Sequence, residues 1–342
     1  MASPNTDFSE IVTTTLRNRS GKLADNVSEN NALLMRLRKR GKVKPVSGGR
    51  TIVQELEYAE NATYKRYSGY ETLDISPSDV FTAAEFNYAQ AAVAVSMSGL
   101  EELQNSGENA IIDLLESRIG NAERTMANNI AADIYSDGTA DSGKQIGGLK
   151  LLVDFTPSTG TVGGINAATA GNEFWRNVAF DATTDGGAAA TSANIQSYMN
   201  RVYLQLVRGR DKTDLIVADN RYYRFYLESL QAIQRVASDE FAQAGFESLK
   251  YMGSDVVLDG GYGGNAATAA GVGVGGGAAT GTMYFLNTNF IFFRPHSNRN
   301  FVPIGGERMA VNQDAMVKLI GFAGNMTTSN RFLQGVLGDD GS

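Results

Sequence analysis

Residues 107–138 read GENAIIDLLESRIGNAERTMANNIAADIYSDG, and one apolar stripe runs the length of the stretch. Ile111, Leu115, Ile119, Ala122, Met126, Ile130 and Ile134 recur at spacings of three and four, which holds them on one side of a single helix. Asn105, Ser106 and Gly107 offer a capped start with Glu108 just inside it, and Asp137-Gly138 offers the left-handed exit that glycine adopts without steric cost. At about 1.5 Å per residue such a rod is roughly 40 Å long. A rod that long with a single stripe needs a long partner. Residues 80–97 supply one, because Ala91, Val93, Val95 and Met97 alternate with Ala92, Ala94 and Ser96, as in a strand with one face under the helix.

Ahead of that strand, residues 46–79 read as a projecting hairpin. Residues 51–58 (TIVQELEY) form the outgoing strand, 59–69 the tip and 70–75 the return, with Pro45 and Pro77 at the two ends. A lone two-stranded ribbon is marginal in water. This one carries Tyr58, Tyr64, Tyr67 and Tyr70, a residue type enriched where proteins bury surface against partners, so it is expected to lie on another subunit. Stacking of Tyr64 and Tyr67 on nucleic-acid bases, with Lys65 and Arg66 on phosphates, is the alternative for the same residues.

Charge is spread unevenly. Residues 1–50 hold ten Lys/Arg against four Asp/Glu, a net of +6, so the remaining residues carry −13 towards the total of −7. The basic run RLRKRGKVKP places Arg36, Arg38, Lys39 and Arg40 beside Lys42 and Lys44, after two short helical signals at 8–16 and 30–37. A basic arm leading an acidic body calls for a protein surface, or a polyanion, as its neighbour.

Composition closes off several function classes. With 42% hydrophobic residues, 20% charged residues and no apolar run long enough to span a bilayer, no membrane segment is expected. The absence of Cys excludes disulfides and thiolate metal sites, and the lone His296 excludes a histidine-rich metal site or a His-dependent triad within one chain. Asp137, Asp141 and Ser142 lack the spacing of a calcium loop. GVGVGG at 271–276 matches a dinucleotide fingerprint in letters, yet it sits in a Gly/Ala tract with a strand-like TMYFLN after it, where the fingerprint needs a strand before and a helix after. No catalytic, cofactor-binding or metal-binding residue is assigned, and no cofactor.

Residues 149–312 read as an α/β unit. An amphipathic helix at 192–209 presents Ile195, Tyr198, Met199, Val202 and Leu206, DLIVA at 214–218 is a buried strand, and a second helix over 220–236 is capped by Asp219 or Asn220. Further strands fall at 249–252, 256–258, 283–286 and 290–293, interrupted by loops at 156–171, 181–192 and 259–282. MVKLIGFAG at 316–324 is apolar in both alternations, as in a strand buried in a sheet, and is expected to return beside residues 80–97.

Arm, projecting hairpin, long strand, long helix, Gly-rich exit, inserted α/β unit and returning strand follow one another in an order that resembles the major capsid proteins of tailed bacteriophages, with their α+β HK97-like fold. The segments that carry the resemblance are 88–139, 253–261 (GSDVVLDGG), 284–293 (YFLNTNFIFF) and 312–337. The resemblance implies an N-terminal arm at 1–45, an E-loop at 46–79, a P-domain at 80–148 and 313–342 with its spine helix at 107–136, and an A-domain at 149–312. It also implies hexamers and pentamers joined in an icosahedral phage head around double-stranded DNA, a virion protein assembled in the bacterial cytoplasm. With arm and hairpin already ahead of the spine there is no room for the long N-terminal scaffolding segment of some members, so a separate scaffolding protein is expected, with a portal and room for a decoration protein as further partners. Lys65 matches a cross-linking lysine of other members by location only. On this reading the hairpin tyrosines lie on a neighbouring subunit, and Arg36, Arg38, Lys39 and Arg40 pair with acidic spine residues such as Asp113, Glu116 and Glu123. An encapsulin-like compartment shell is the nearest alternative, and a nucleic-acid-binding protein using the arm is a more distant one.

Overall fold

The computed structural model describes residues 31–104, 114–230, 248–259, 277–304, 308–309 and 314–339. The helical signal at 8–16, the expected start of the long helix, most of the 220–236 helix beyond Ser229, and the GVGVGG tract lie outside the described residues.

The long helix is present as Leu114–Asp133. Ala122, Met126, Ile130 and Ile134 on its stripe are buried, while Asn121, Thr125 and Asn129 face out. It ends at Asp133, ahead of the expected glycine. Ile134, Tyr135 and Ser136 close the last turn through backbone bonds to Ile130, Ala132 and Asp133, and Gly138 takes the left-handed conformation (φ 74°) only afterwards. The chain then doubles back against the helix end: Leu149 N donates to Ile134 O at 2.7 Å, and a Cβ on Gly148 would lie 2.3 Å from that same carbonyl oxygen. A glycine is therefore required at 148 by close approach.

Under the helix lies Ala89–Ser98, with Ala89 and Val95 buried, Ala91 and Val93 half-buried, and Gln90, Ala92, Ala94 and Ser96 exposed. It pairs antiparallel with Ala315–Thr328 over ten positions, from Ala315 opposite Ser98 to Gly324 opposite Ala89, which is the expected return. On the other edge of Ala315–Thr328 runs Ile291–Pro303, and residues 42–46 add a short parallel edge to that strand through bridges Val43–Phe293 and Val46–His296.

Two expectations about strands fail, for identifiable reasons. Residues 80–97 are two strands, Phe81–Phe86 and Ala89–Ser98, because the buried parity changes from even (Ala84, Phe86) to odd (Ala89, Val95) across Asn87-Tyr88. The hairpin's return is accordingly Phe81–Phe86, paired with Ile52–Glu57 from Ile52 opposite Phe86 to Glu57 opposite Phe81. Residues 70–75 form no strand: their β-prone side chains meet no facing surface among the described residues, and propensity alone does not make a strand.

The second sheet has six strands in the order Val178–Asp181, Gly335–Gly338, Thr282–Leu286, Leu215–Ala218, Ser254–Leu258, Ser248–Tyr251. Leu215–Ala218 is buried at all four positions. Ile216 and Ala218 face Ile195–Leu206 and Asn220–Ser229, the latter capped by Asp219, whose side chain accepts from Tyr222 N. Leu215 and Val217 face a larger core shared with the arm helix, the hairpin root, the long helix and the first sheet. Here too the expected boundaries shift. Gly335–Gly338, assigned with 313–342 to the first sheet's domain, belongs to the six-stranded sheet, and Ile291–Pro303, assigned to 149–312, belongs to the first. The chain crosses between sheets at both Asn287–Phe290 and Ser329–Gln334, where tight turns redirect it without a composition change that would mark a boundary.

Candidate assembly surfaces

The hairpin divides into a root that its own chain grips and a tip that it does not. At the root, Ile52, Leu56, Ala84 and Phe86 are buried. Gln54 accepts from Arg294 Nη2 at 2.8 Å, and Glu85 N donates to Gly163 O at 2.9 Å. Gly163 sits in the left-handed region (φ 58°) at the turn of the small hairpin Thr161–Val162/Ile165–Asn166, and a Cβ there would come within 2.8 Å of Ala84 Cβ. Beside it a groove of about 470 Å³ is lined by Tyr58, Phe174, Arg208 and Phe332. Tyr58, expected to reach a neighbour, is half-buried and also part of this grip: its ring lies 5.4 Å from that of Phe174 and its hydroxyl donates to Asp79 O at 3.0 Å.

Beyond the root the picture reverses. Tyr64, Tyr67 and Tyr70 are 79%, 63% and 108% exposed, and Ile75 is 92% exposed. Leu73 and Phe81 are exposed as well, and were not among the expected contact residues. Lys65 pairs with Glu71 at 3.5 Å and donates to Thr72 O, a bond internal to the tip, and Arg66 is exposed. Among the described residues nothing covers this apolar edge, and exposed contiguous apolar surface marks interaction sites.

The arm behaves differently. Asn31 caps Ala32–Lys39 by accepting from Leu34 N at 3.0 Å and donates to Ala131 O on the long helix, while Ala32, Leu33 and Leu37 are fully buried. Arg36, which spacing places on the same face, is buried with them. Its Nε lies 3.3 Å from Asp214 and its Nη2 3.5 Å from Asp255. Arg40 adds a second contact to Asp214 at 3.3 Å and donates to Asn289 at 3.0 Å. Asp214 is further satisfied by Thr288, through the backbone N at 2.6 Å and the hydroxyl at 2.7 Å. The expected pairing of Arg36 and Arg40 with spine acids is thus replaced by pairing with the start of two strands of the six-stranded sheet, since helix burial turns Arg36 inward where those carboxylates are. Arg38 and Lys39 are exposed. Of the acids named for that pairing, Asp113 lies outside the described residues and the side chains of Glu116 and Glu123 are likewise not described.

The long helix is instead tied to its own sheet by Arg118. Its guanidinium meets Glu101 in a fork, Nη1 to Oε2 at 3.0 Å and Nη2 to Oε1 at 2.8 Å, and Nη1 also donates to Ser96 O at 2.8 Å. Glu101 in turn closes a reciprocal cap on Gly99–Gln104: Ser98 N donates to its carboxylate at 2.9 Å and Ser98 Oγ accepts from Glu101 N at 3.3 Å. The Arg118 hydrogen bond leads the causes that hold the Glu101 carboxyl below its ordinary value. The Ser-x-x-Glu spacing of Ser98 and Glu101 is the sequence signal of this cap. At the helix's far end Tyr135 donates to Asp259 at 2.6 Å, and burial, then the facing Asp259 charge, push its hydroxyl well above the ordinary phenol range.

One further buried charge has no sequence signature. Arg331 is fully buried, donates from Nε to Leu152 O at 2.7 Å and from Nη2 to Asn177 Oδ1 at 3.1 Å, and stacks its guanidinium 5.9 Å from the Trp175 ring centre. Burial draws it down to about 10. It knits the turn between the two sheets to the segment after the long helix.

Compared with solved structures, the chain is similar to the capsid protein of cyanophage A-1(L), at 15% identity and a TM-score of 0.61 over 93% of this chain and 95% of that one. The fold is the HK97-like capsid fold. The same architecture relates it to the holo-SrpI encapsulin of Synechococcus elongatus, at 9% identity and a TM-score of 0.53 over 93% of this chain and 91% of that one. It relates it also to the capsid of cyanophage P-SCSP1u, at 13% identity and a TM-score of 0.50 over 88% of this chain and 86% of that one. No protein-family model and no curated protein sequence matches the chain. In the terms of this fold the projecting hairpin is the E-loop, Leu114–Asp133 the spine helix, and the arm helix a strap across the junction of the two sheets.

Proposed function

We propose that the chain is the major capsid protein of a tailed phage, a structural protein that assembles into hexamers and pentamers of an icosahedral head around double-stranded DNA. The observation that carries this reading is the E-loop tip, whose exposed Tyr64, Tyr67, Tyr70 and Ile75 are held out on a root that the chain grips tightly. Each tip contact with a neighbour is weak, and strength comes from repetition around a closed shell, where many modest contacts add while misplaced subunits still dissociate. A separate scaffolding protein, a portal, a decoration protein and packaged DNA complete the assembly on this reading, which makes the chain a virion component.

An encapsulin-like compartment is the second reading, favoured by the likeness to the Synechococcus encapsulin. The higher TM-score and identity of the cyanophage A-1(L) capsid protein support the phage head over it. Negative-stain microscopy and light scattering of the purified chain test both. Closed particles that take up DNA in the presence of the packaging partners support the head, particles enclosing a protein cargo support the compartment, and a chain that stays monomeric under all assembly conditions overturns both. Deleting residues 61–77 should leave a folded monomer that builds no shell.

A further inference from the structure

With Arg36 and Arg40 taken up by Asp214 and Asp255, the positive charge left on the arm is arranged by the strand edge it forms. Lys44 N donates to Phe293 O and Phe293 N donates to Lys42 O, both within the parallel edge at 42–46. Alternation along this edge sends Val43 and Phe293 into the core and leaves Lys42 and Lys44 on the opposite face, where Phe292 and Arg294 of the neighbouring strand also lie. The three cations converge on one ring: Lys42 Nζ and Lys44 Nζ are each 5.2 Å from the Phe292 centroid, and the Arg294 guanidinium is 5.1 Å from it.

Among the described residues no carboxylate lies within ion-pair distance of Lys42, Lys44 or Arg294. Arg294 donates through Nη2 to Gln54, while its buried Nε has no partner. The π face of Phe292 offsets part of the repulsion between like charges but cannot neutralise them. Burial, then the Lys44 and Arg40 charges, lower the Lys42 pKa from its ordinary value, against a smaller opposing effect of Asp214. From Arg36 to Arg50 the sequence contains no acid, so the edge continues as positive surface through exposed Arg38 and Arg50.

We propose that Lys42, Lys44 and Arg294, gathered on Phe292, bind the phosphodiester backbone of a nucleic acid. Two lysines act as point charges and the Arg294 guanidinium adds a third positive charge beside them, a combination suited to phosphate oxygens. Lysines two apart on a strand stand about 7 Å from one another along a line, so they meet a polymer with regularly repeated charge without requiring a matched sequence. An acidic protein segment would need carboxylates placed to fit. The proposal extends the packaged-DNA part of the function proposed above, and its test uses unassembled chain, so that its failure leaves shell building untouched.

The test is binding of a short mixed-sequence DNA duplex to the full-length chain, followed by fluorescence anisotropy across a salt series. Wild type should bind with steep salt dependence, and Lys42→Gln/Lys44→Gln should reduce the log–log salt slope by roughly 2, as expected at about 0.9 per phosphate contact, with affinity about tenfold weaker at low salt. The two lysine substitutions leave the backbone hydrogen bonds of the edge in place, which circular dichroism checks. Adding Arg294→Gln should lower the slope by roughly one more, while Lys150→Gln, far along the chain and paired with Asp137, should not alter it. No binding by wild type, an unchanged slope in the double variant, or poly-glutamate bound as tightly as the duplex would each overturn the proposal.

Discussion

The arm helix and the E-loop tip both extend from the body on sequence grounds, one rich in Arg and Lys and the other in Tyr. In the folded chain Ala32, Leu33 and Leu37 are fully buried and Arg36 reaches two carboxylates of its own chain, whereas Tyr64, Tyr67 and Tyr70 are exposed among the described residues. The difference lies in what each segment has within reach. The arm helix has an apolar face of its own and crosses a seam between two sheets where Asp214 and Asp255 stand open to it. The tip is held away from the body by a root whose two strands run six residues in register. Amphipathic stretches that can fold back do so. A ribbon stiffened at its base does not, and its apolar tip stays exposed.

The comparison breaks most visibly if the tip proves dispensable. Replacing Tyr64, Tyr67 and Tyr70 together by Ala should abolish particle formation while shifting the unfolding free energy of the monomer by no more than about 0.5 kcal/mol, because none of the three packs on the body. Sedimentation together with denaturant unfolding measures both, and particles at normal yield would contradict it. The arm should show the opposite pattern. Arg36→Met leaves Asp214 and Asp255 short of a buried counter-charge and should cost about 3 to 5 kcal/mol in monomer unfolding. A loss below about 1 kcal/mol would mean that the strap is not held by this charge.

The root supplies an intermediate case. Gly163→Ala puts a Cβ into a left-handed position and against Ala84, and should destabilise the monomer by about 1 to 2 kcal/mol while lowering particle yield, since the tip is then aimed less firmly. Unchanged yield with reduced stability would uncouple the root from assembly. The smallest effect is expected at Glu101. Its carboxyl is held below its ordinary value of 4.5, chiefly by Arg118, so its contribution to stability is fully present above the unfolded value and is lost as pH falls through the folded one. Melting temperature followed from neutral to acid pH should fall less steeply in Glu101→Gln than in wild type over that window, and identical acid limbs would contradict the assignment.

Much of this architecture is written in local pattern. The three-and-four spacing from Ala122 to Ile134 and the alternation from Ala89 to Val95 survive into the fold almost residue for residue, because each records which side of an element meets the core. What pattern does not record is the partner. The parity change at Asn87-Tyr88 is visible in the sequence, but only the pairing of Phe81–Phe86 with Ile52–Glu57 turns it into a hairpin root. The exchange of Ile291–Pro303 and Gly335–Gly338 between sheets is likewise a matter of long-range pairing. At the candidate surfaces, charge revealed that the arm would seek carboxylates, while the ones it finds stand 178 positions away from Arg36 in the case of Asp214. Tyr58 and Tyr70 look alike in sequence and differ because Phe174 stands beside one of them.

Hydrogen–deuterium exchange of the same preparation before and after assembly tests the contrast between strap and tip most directly. Amides of Ala32–Lys39 should be protected in both states, and those of residues 61–77 should exchange rapidly in the monomer and become protected in the particle. Tip amides that exchange at the same rate in both states would contradict the account.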